Sequence, residues 1–207
     1  MKQNITEWRE VELQEIADKK HPYSIGDGDH GKITPNMYQN KGIHYIRVGD
    51  MVNDKVSLKN IVYIPEKVHQ DNIGKELVSG DVIIAKTGAT IGKVAIVPPE
   101  IKRANTTSSV GKITLDKNIA LPEYLLYFMK TKFFTKQMWS VSIKSAQPGF
   151  NIMDLKKFKI VLPFSNGKPD LKEQERIISI LEKTEKVKTK GDNAGKLLDE
   201  YLKSVFN

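Results

Sequence analysis

A basic, glycine-containing loop between two apolar runs is the feature of this sequence best suited to binding an anion. Residues 80–97 contain two β-branched apolar runs, bounded by turn residues and separated by Lys86-Thr87-Gly88-Ala89-Thr90-Ile91-Gly92-Lys93. This pattern predicts a strand, a loop and a second strand. Backbone N–H groups, a hydroxyl and two ammonium groups would meet in the loop. We therefore expect it to face phosphate.

Enzyme motifs can be tested against the same residues, and most of them fail. The loop has three residues between Gly88 and Gly92 where a P-loop has four, and Val94 replaces the magnesium-binding hydroxyl. Residues 26–31 lack the ligand spacing of a calcium loop. No Gly-x-Gly-x-x-Gly follows a strand, and the four histidines form no helical metal pair. One alternative stays open, because Asp81, Glu100 and Lys102 imitate the acidic-acidic-lysine spacing of metal-dependent nucleases.

Composition favours an intracellular protein with a polyanionic partner. The chain has 207 residues and no cysteine, which excludes disulfides and thiolate metal sites and fits a reducing cytosol. It shows no signal-peptide pattern and no run approaching a membrane span, so we expect a cytoplasmic location without membrane contact. The net charge is +8, of which residues 1–170 carry +7 and the remainder +1. A basic body with a nearly neutral tail suggests two different tasks.

The pattern of apolar residues and turn residues predicts an α+β fold. It comprises a globular domain at 1–165, with a mixed or antiparallel sheet and short helices, followed by a long helix at 171–207. Gly and Asp predict a loop over 26–32. Further strands are expected at 43–48, 61–64, 109–115 and 158–162, with helices from Pro122 towards Trp139 and from Asp154.

The C-terminal helix carries a heptad seam. Apolar or small residues recur every three or four positions, and charged residues fill most positions between them. Gly191 interrupts the seam, at a cost of about 1 kcal/mol relative to alanine, but the register continues beyond it. We expect a coiled coil with a partner helix; the alternative is a helix folded back on its own domain. The seam residues are Ile177, Ile180, Thr184, Val187, Ala194, Leu198, Tyr201 and Val205.

Taken in order, these elements resemble one half of the specificity subunit of type I restriction-modification systems. The matching segments span nearly the whole chain. They are Trp8…Val11-x-Leu13-x-x-Ile16, Gly26-Asp27-Gly28-Asp29-His30, Gly42-Ile43-x-Tyr45-Ile46-Arg47-Val48-Gly49-Asp50, Gly80-Asp81…Lys86-Thr87-Gly88…Gly92-Lys93-Val94, Asn105, Ser145-Ala146-Gln147-Pro148-Gly149-Phe150-Asn151 through Leu155, Leu162-Pro163 and Leu171-x-x-Gln174-x-x-Ile177-x-x-x-Leu181.

The resemblance implies a DNA-recognition subunit without chemistry of its own. Adenine methyltransferase subunits would bring S-adenosylmethionine, and a motor-nuclease subunit would bring ATP and Mg²⁺; this chain would hold no cofactor and no metal. Family members usually have two recognition domains, each followed by a helix, and the helices pair antiparallel. One domain with one helix departs from this pattern and fits a natural half-size subunit, a truncated gene product or an excised half. A natural half would form a homodimer through antiparallel C-terminal helices and read a palindromic target.

The loops supply the candidate DNA contacts of this resemblance. Asp27 and Asp29 are expected to orient the loop backbone, since carboxylates repel phosphate. The phosphate candidates are Lys32, Lys86, Thr87, Lys93 and Lys144, and the base-reading candidates are His30, Asn105, Thr106 and Gln147. Two other functions remain open, namely the small metal-dependent nuclease and an interaction adaptor that uses the helix alone.

Overall fold

Short strands and helices build the body of the protein, and one long helix follows it. The computed structural model describes residues 6–142 and 148–206, with side chains described as far as residue 192. Its strands are β1 (Glu7–Glu12), β2 (Ile25–Asp27), β3 (Ile43–Ile46), β4 (Met51–Val52), β5 (Lys55–Val56), β6 (Val62–Ile64), β7 (Leu77–Val78), β8 (Val82–Ala85), β9 (Val94–Ile96), β10 (Arg103–Thr106), β11 (Val110–Ile113), β12 (Lys159–Ser165) and β13 (Lys168–Pro169). Its helices are α1 (Leu13–Ile16), α2 (Glu66–Gln70), α3 (Pro122–Met129), α4 (Lys132–Ser142), α5 (Ile152–Lys157) and α6 (Leu171–Phe206), with 3-10 turns at Pro35–Met37, Val48–Asp50 and Ile73–Lys75. The predicted α+β class and the long C-terminal helix are confirmed.

The strands of the described residues form three sheets. The largest has the order β2-β11-β8-β9-β5-β4, the second β6-β3-β10-β7, and the third β1-β12-β13. Strand β8 lies between β11 and β9, and successive side chains point to opposite faces. Val82 and Ile84 join the main core with α3, α4 and α5, whereas Ile83 joins a second core on the other face. Because β8 is buried on both faces, it reads in the sequence as an unbroken apolar run.

The hairpin predicted over residues 80–97 is confirmed. Strands β8 and β9 pair antiparallel, with Val82 opposite Ile96 and Ile84 opposite Val94. Strands β3, β6 and β11 lie inside the ranges predicted for them. The hairpin therefore carries its basic loop at the end of a fully buried strand.

Three boundaries differ from the sequence prediction. Helix α5 begins at Ile152, two residues before the predicted start at Asp154, because Asn151 caps its first turn. Residues 26 and 27 belong to β2, because Gly26 and Asp27 pair with Lys112 and Gly111 of β11 at the sheet edge. Strand β12 continues through Pro163, where a stop was expected. Strand β13 pairs with Phe164 and Ser165 but does not reach Pro163. The N–H group that Pro163 lacks is therefore not needed for a hydrogen bond to β13.

The helix predicted from Pro122 towards Trp139 is divided in two. Helix α3 begins at Pro122, as expected for a proline in the first turn, and ends at Met129. A new helix then starts beyond Thr131, whose hydroxyl accepts a hydrogen bond from Phe134 N at 3.3 Å. The side chain of Thr131 thus satisfies a free donor at the start of α4, which a continuous apolar periodicity does not reveal.

The first turns of α6 are tied to the domain by a buried glutamine. Gln174 donates through Nε2 to Ile119 O and accepts from Leu121 N, both at 3.0 Å. Ile177 and Ile178 pack against the main core. Further along, Glu185 accepts from Tyr127 Oη at 3.0 Å and from Lys130 Nζ at 2.9 Å. Among the described residues, no helix combines the length and apolar character that a membrane crossing requires.

Candidate nucleic-acid interface

Several loops that are distant in sequence meet at one end of the largest sheet. Strands β2, β11 and β8 are antiparallel neighbours, so the end of β8, the start of β11 and the end of β2 lie side by side. Lys86 N donates to Ser109 O at 2.7 Å, and Asp29 N donates to Thr106 O at 3.1 Å. Gly88 N donates to Pro148 O at 3.2 Å. We call the residues 28–32, 86–93, 107–109 and 148–149 the loop cluster.

A glycine permits the closest approach in this cluster. A Cβ atom on Gly28 would lie 1.9 Å from Thr106 O and 2.4 Å from Thr107 C. Real Cβ atoms do not approach backbone this closely, so any side chain at position 28 must displace the loop. The backbone of residues 28–29 is therefore pressed directly onto the end of β10.

Asp29 holds the tip of this loop from inside. Its side chain is 2% exposed and accepts from Ile33 N at 2.6 Å and from Tyr45 Oη at 3.2 Å. Burial raises the pKa of Tyr45, and the neighbouring Asp29 raises it further, so the phenol stays a donor. Asp29 thus orients the loop backbone, as the sequence suggested.

Asp27 has a different set of partners. Its Oδ2 lies 2.5 Å from Lys86 Nζ, and its Oδ1 lies 2.9 Å from His30 Nε2. The Lys86 side chain is only 8% exposed, whereas the His30 side chain is 57% exposed. The lysine expected to contact phosphate therefore has a carboxylate partner inside the protein. Its ammonium fixes Asp27 behind the loop and is not displayed to solvent.

The exposed part of the cluster consists of other residues. His30 stands at the loop tip with a φ of 54°, and Lys32 follows it on the surface. Thr87 and Lys93 are half-buried at the two ends of the hairpin loop, where Thr87 faces Gly149. The described structure thus brings four of the predicted site residues to one accessible surface, namely His30, Lys32, Thr87 and Lys93.

Asn105 and Thr106 lie in the interior, each 1% exposed. The amide of Asn105 accepts at 2.6 Å from His69 Nδ1 and donates at 3.2 Å to Asn72 O. The Thr106 hydroxyl donates to Ile46 O at 2.7 Å. With these partners neither side chain has a route to a base edge, so the structure makes them supports of β10. Both residues lie beside the loops, but a sequence pattern cannot distinguish an inward from an outward polar side chain.

Two further candidates, Lys144 and Gln147, lie outside the described residues. The seam of α6 is described only in part. Ile177 packs against the core, Thr184 is exposed, and Ile180 and Val187 are 48% and 70% exposed. The side chains of Ala194, Leu198, Tyr201 and Val205 lie beyond the described range. Helix α6 thus folds back on its own domain in its first turns and presents an uncovered apolar face further along.

The three residues of the alternative nuclease site do not share one environment. Asp81 is 1% exposed and accepts from Thr114 Oγ1 at 2.6 Å and from Val78 N at 2.9 Å. Burial raises the pKa of Asp81, and Lys112 acts against that rise. Glu100 and Lys102 are exposed. Across residues 6–142 and 148–192, no group of three or more His, Asp or Glu side chains is arranged to hold a metal.

Substitution of Gly28 by alanine tests the close approach of the loop to β10. We expect Gly28→Ala to lower the free energy of unfolding by about 1–3 kcal/mol, because the added methyl group must displace backbone. Urea denaturation followed by tryptophan fluorescence measures this change. Gly49→Ala is the matched control, since a Cβ there meets nothing within 4 Å, and it should change stability by less than about 0.5 kcal/mol. Equal midpoints for the two variants would contradict the assignment.

Comparison with known proteins identifies the family. The model of the type I restriction modification DNA specificity domain matches residues 5–196. The MjaVIII type I restriction enzyme specificity subunit of Methanocaldococcus jannaschii is 22% identical over 95% of this chain and 45% of its own length. The chain thus spans about half of that curated relative.

Two solved structures share the fold. The HsdS subunit of Thermoanaerobacter tengcongensis superposes with a TM-score of 0.60 and 21% identity, over 88% of this chain and 43% of the other. The type I restriction-modification S subunit of M. genitalium gives a TM-score of 0.55 and 16% identity, over 90% and 41%. With the match of the family model over nearly the whole sequence, the chain belongs to the type I restriction modification DNA specificity domain family.

Proposed function

We propose that this chain recognises one half-site of a DNA target for a type I restriction-modification complex and carries no catalytic centre of its own. The loop cluster is the observation that supports this most directly. It joins loops from three strands at one end of a rigid sheet and presents an imidazole and lysines on a body with a net charge of +7 over residues 1–170. Loops on a rigid scaffold can enter a groove, while phosphate contacts fix their register.

Burial sorts the candidate contacts into two groups. Lys32, Lys93 and Thr87 are accessible and suit phosphate oxygens, and His30 at the loop tip suits a base edge or a phosphate. Lys86, Asn105 and Thr106 have partners within the fold, so we assign them to the scaffold. Lys144 and Gln147 keep their proposed roles, phosphate contact and adenine recognition, on the strength of the sequence alone.

The partners follow from the family. Adenine methyltransferase subunits would supply S-adenosylmethionine, and a motor-nuclease subunit would supply ATP and Mg²⁺. One solved structure that is 19% identical to this chain concerns the complex assembly and the conformational transition of a type I restriction-modification system. In this chain the uncovered face of α6 would receive a partner helix, because Ile180 and Val187 have no covering residue in their own domain among the described contacts.

An antiparallel pair of α6 helices would let two copies of the chain reach two half-sites. The second recognition domain would come from a second copy, with the two α6 helices antiparallel. Two-fold symmetry would then make the target a palindrome with an unread spacer. At 1.5 Å per residue the 36 residues of α6 span about 54 Å, which is long enough to hold two domains apart on DNA.

Neutralising Lys32 tests the phosphate contact. Lys32→Ala should weaken binding to cognate and unrelated duplexes alike and should lower the slope of log K against log salt by about one unit. Fluorescence anisotropy over a series of salt concentrations measures both quantities. Lys117→Ala is the control, because Lys117 is an exposed lysine beside Gly80 at the opposite end of β8. A salt slope that stays the same in Lys32→Ala would remove this contact, and wild-type protein that binds no duplex would favour the adaptor alternative.

The uncovered face of α6 makes a separate prediction. The double variant Ile180→Glu and Val187→Glu should convert a dimer into a monomer in multi-angle light scattering, because carboxylates would replace two apolar contacts. Lys183→Gln with Lys190→Gln is the matched control, since both residues are exposed off the seam and the net charge changes by the same amount. A wild-type chain that is monomeric at tens of micromolar would refute the homodimer.

A further inference from the structure

One carboxylate joins a buried lysine to an exposed histidine in the loop cluster. Asp27 offers Oδ2 to Lys86 Nζ and Oδ1 to His30 Nε2, at 2.5 Å and 2.9 Å. Side-chain exposure rises along this row from 8% at Lys86 to 12% at Asp27 and 57% at His30. The row therefore leads from the inside of the sheet to the tip of a surface loop.

The carboxylate decides which ring nitrogen of His30 carries hydrogen. An ionised carboxylate accepts hydrogen bonds, and its 2.9 Å ion-pair distance to the ring favours a hydrogen on the nitrogen that faces it. Nε2 consequently holds a hydrogen in both charge states of the ring. Nδ1 is the other polar atom of the ring, and it bears a lone pair in the neutral form and a second N–H in the imidazolium. Lys86 holds the carboxylate of Asp27 in place, because its ammonium is the carboxylate's second partner.

The charged surroundings of His30 come from three parts of the fold. On its own loop, Asp27 contacts the ring, and Asp29 is turned inward to Ile33 N and Tyr45 Oη. Directly after β8, Lys86 contacts Asp27 and acts on the ring through it. Lys32 and Lys93 complete the charged side chains of the loop cluster. An approaching DNA strand would add negative charge on the exposed side of the ring.

We infer that Asp27 is a positioning residue which orients His30 so that its Nδ1–H, in the imidazolium form, donates to an acceptor on DNA. This inference rests on the proposed function. The acceptor is an anionic or electron-rich oxygen or nitrogen, supplied either by a phosphate or by the O6 and N7 edge of guanine. Binding then takes up one proton at His30, and Lys86 serves the contact from behind without touching DNA.

The experiment measures the affinity of the full chain for DNA as a function of pH. The probes are short fluorescein-labelled duplexes, one of mixed sequence and one that carries the site recovered by methylation mapping. Between about pH 6 and pH 8.5, the wild-type dissociation constant should increase with pH, by at most about tenfold per unit, since one proton is taken up on binding. Circular dichroism at each pH checks that the fold is retained.

Three variants separate this contact from a general effect of pH. His30→Asn removes the titrating ring but tolerates the positive φ, so it should remove most of the pH dependence. Asp27→Asn should flatten the dependence in the same way, although His30 is still present. His21→Asn is the control, because His21 lies before β2, at the end of that strand opposite His30; it should behave as wild type.

The outcomes are distinct. If His30→Asn loses the pH dependence on both duplexes, the acceptor is a phosphate, and if the loss is confined to the duplex that carries the mapped site, the acceptor is a guanine edge. Either result supports the inference. If His30→Asn or Asp27→Asn keeps the wild-type pH dependence while DNA binding persists, the inference is overturned and the proposed function stands. If the wild-type chain binds neither duplex at any pH, alone or with methyltransferase subunits, the proposed function fails as well.

Discussion

The buried ladder between β8 and β11 is the constraint on which the candidate interface depends. Val82 to Ala85 are inaccessible, and their antiparallel register with Val110 to Ile113 fixes where each strand ends. Strand β2 extends the same ladder on the far side of β11. The loops that follow or precede these strands therefore emerge at one place, although they are up to about eighty residues apart in sequence. Apolar burial on both faces makes this part of the sheet rigid. Backbone hydrogen bonds hold the loops in place beside it.

Within this frame, burial determines what each polar side chain can do. Lys86 and Lys32 belong to the same cluster and have the same charge, yet Lys86 points back to Asp27 and Lys32 lies on the surface. A buried ammonium without a partner would be costly, so Lys86 is stable only because the carboxylate is there. The ion pair in turn holds Asp27 where its other carboxylate oxygen contacts His30. Lys86, which the sequence suggests as a DNA contact, is thus part of the scaffold that supports the loop cluster.

The sequence predicts the scaffold well and the site less well, for a physical reason. Apolar periodicity and turn residues report burial, so the hairpin at 80–97, strand β11 and helix α6 could be predicted from them. The close contact of Gly28 with Thr106 and the inward orientation of Asn105 depend on tertiary packing. No local pattern encodes these features. The role of Gln174, which ties α6 to residues 119–121, is likewise invisible in the heptad pattern, where it is simply a polar position.

The central claim is that DNA contacts the loop cluster and not the opposite end of the sheet or the long helix. Titration of isotope-labelled protein with a short duplex, followed by backbone amide NMR spectra, tests this most directly. The account predicts shifts concentrated at residues 28–32 and 86–93, with little change around Gly80 and Lys117. Shifts confined to α6 or to the Gly80 end, or spectra that do not change at low salt, would contradict it.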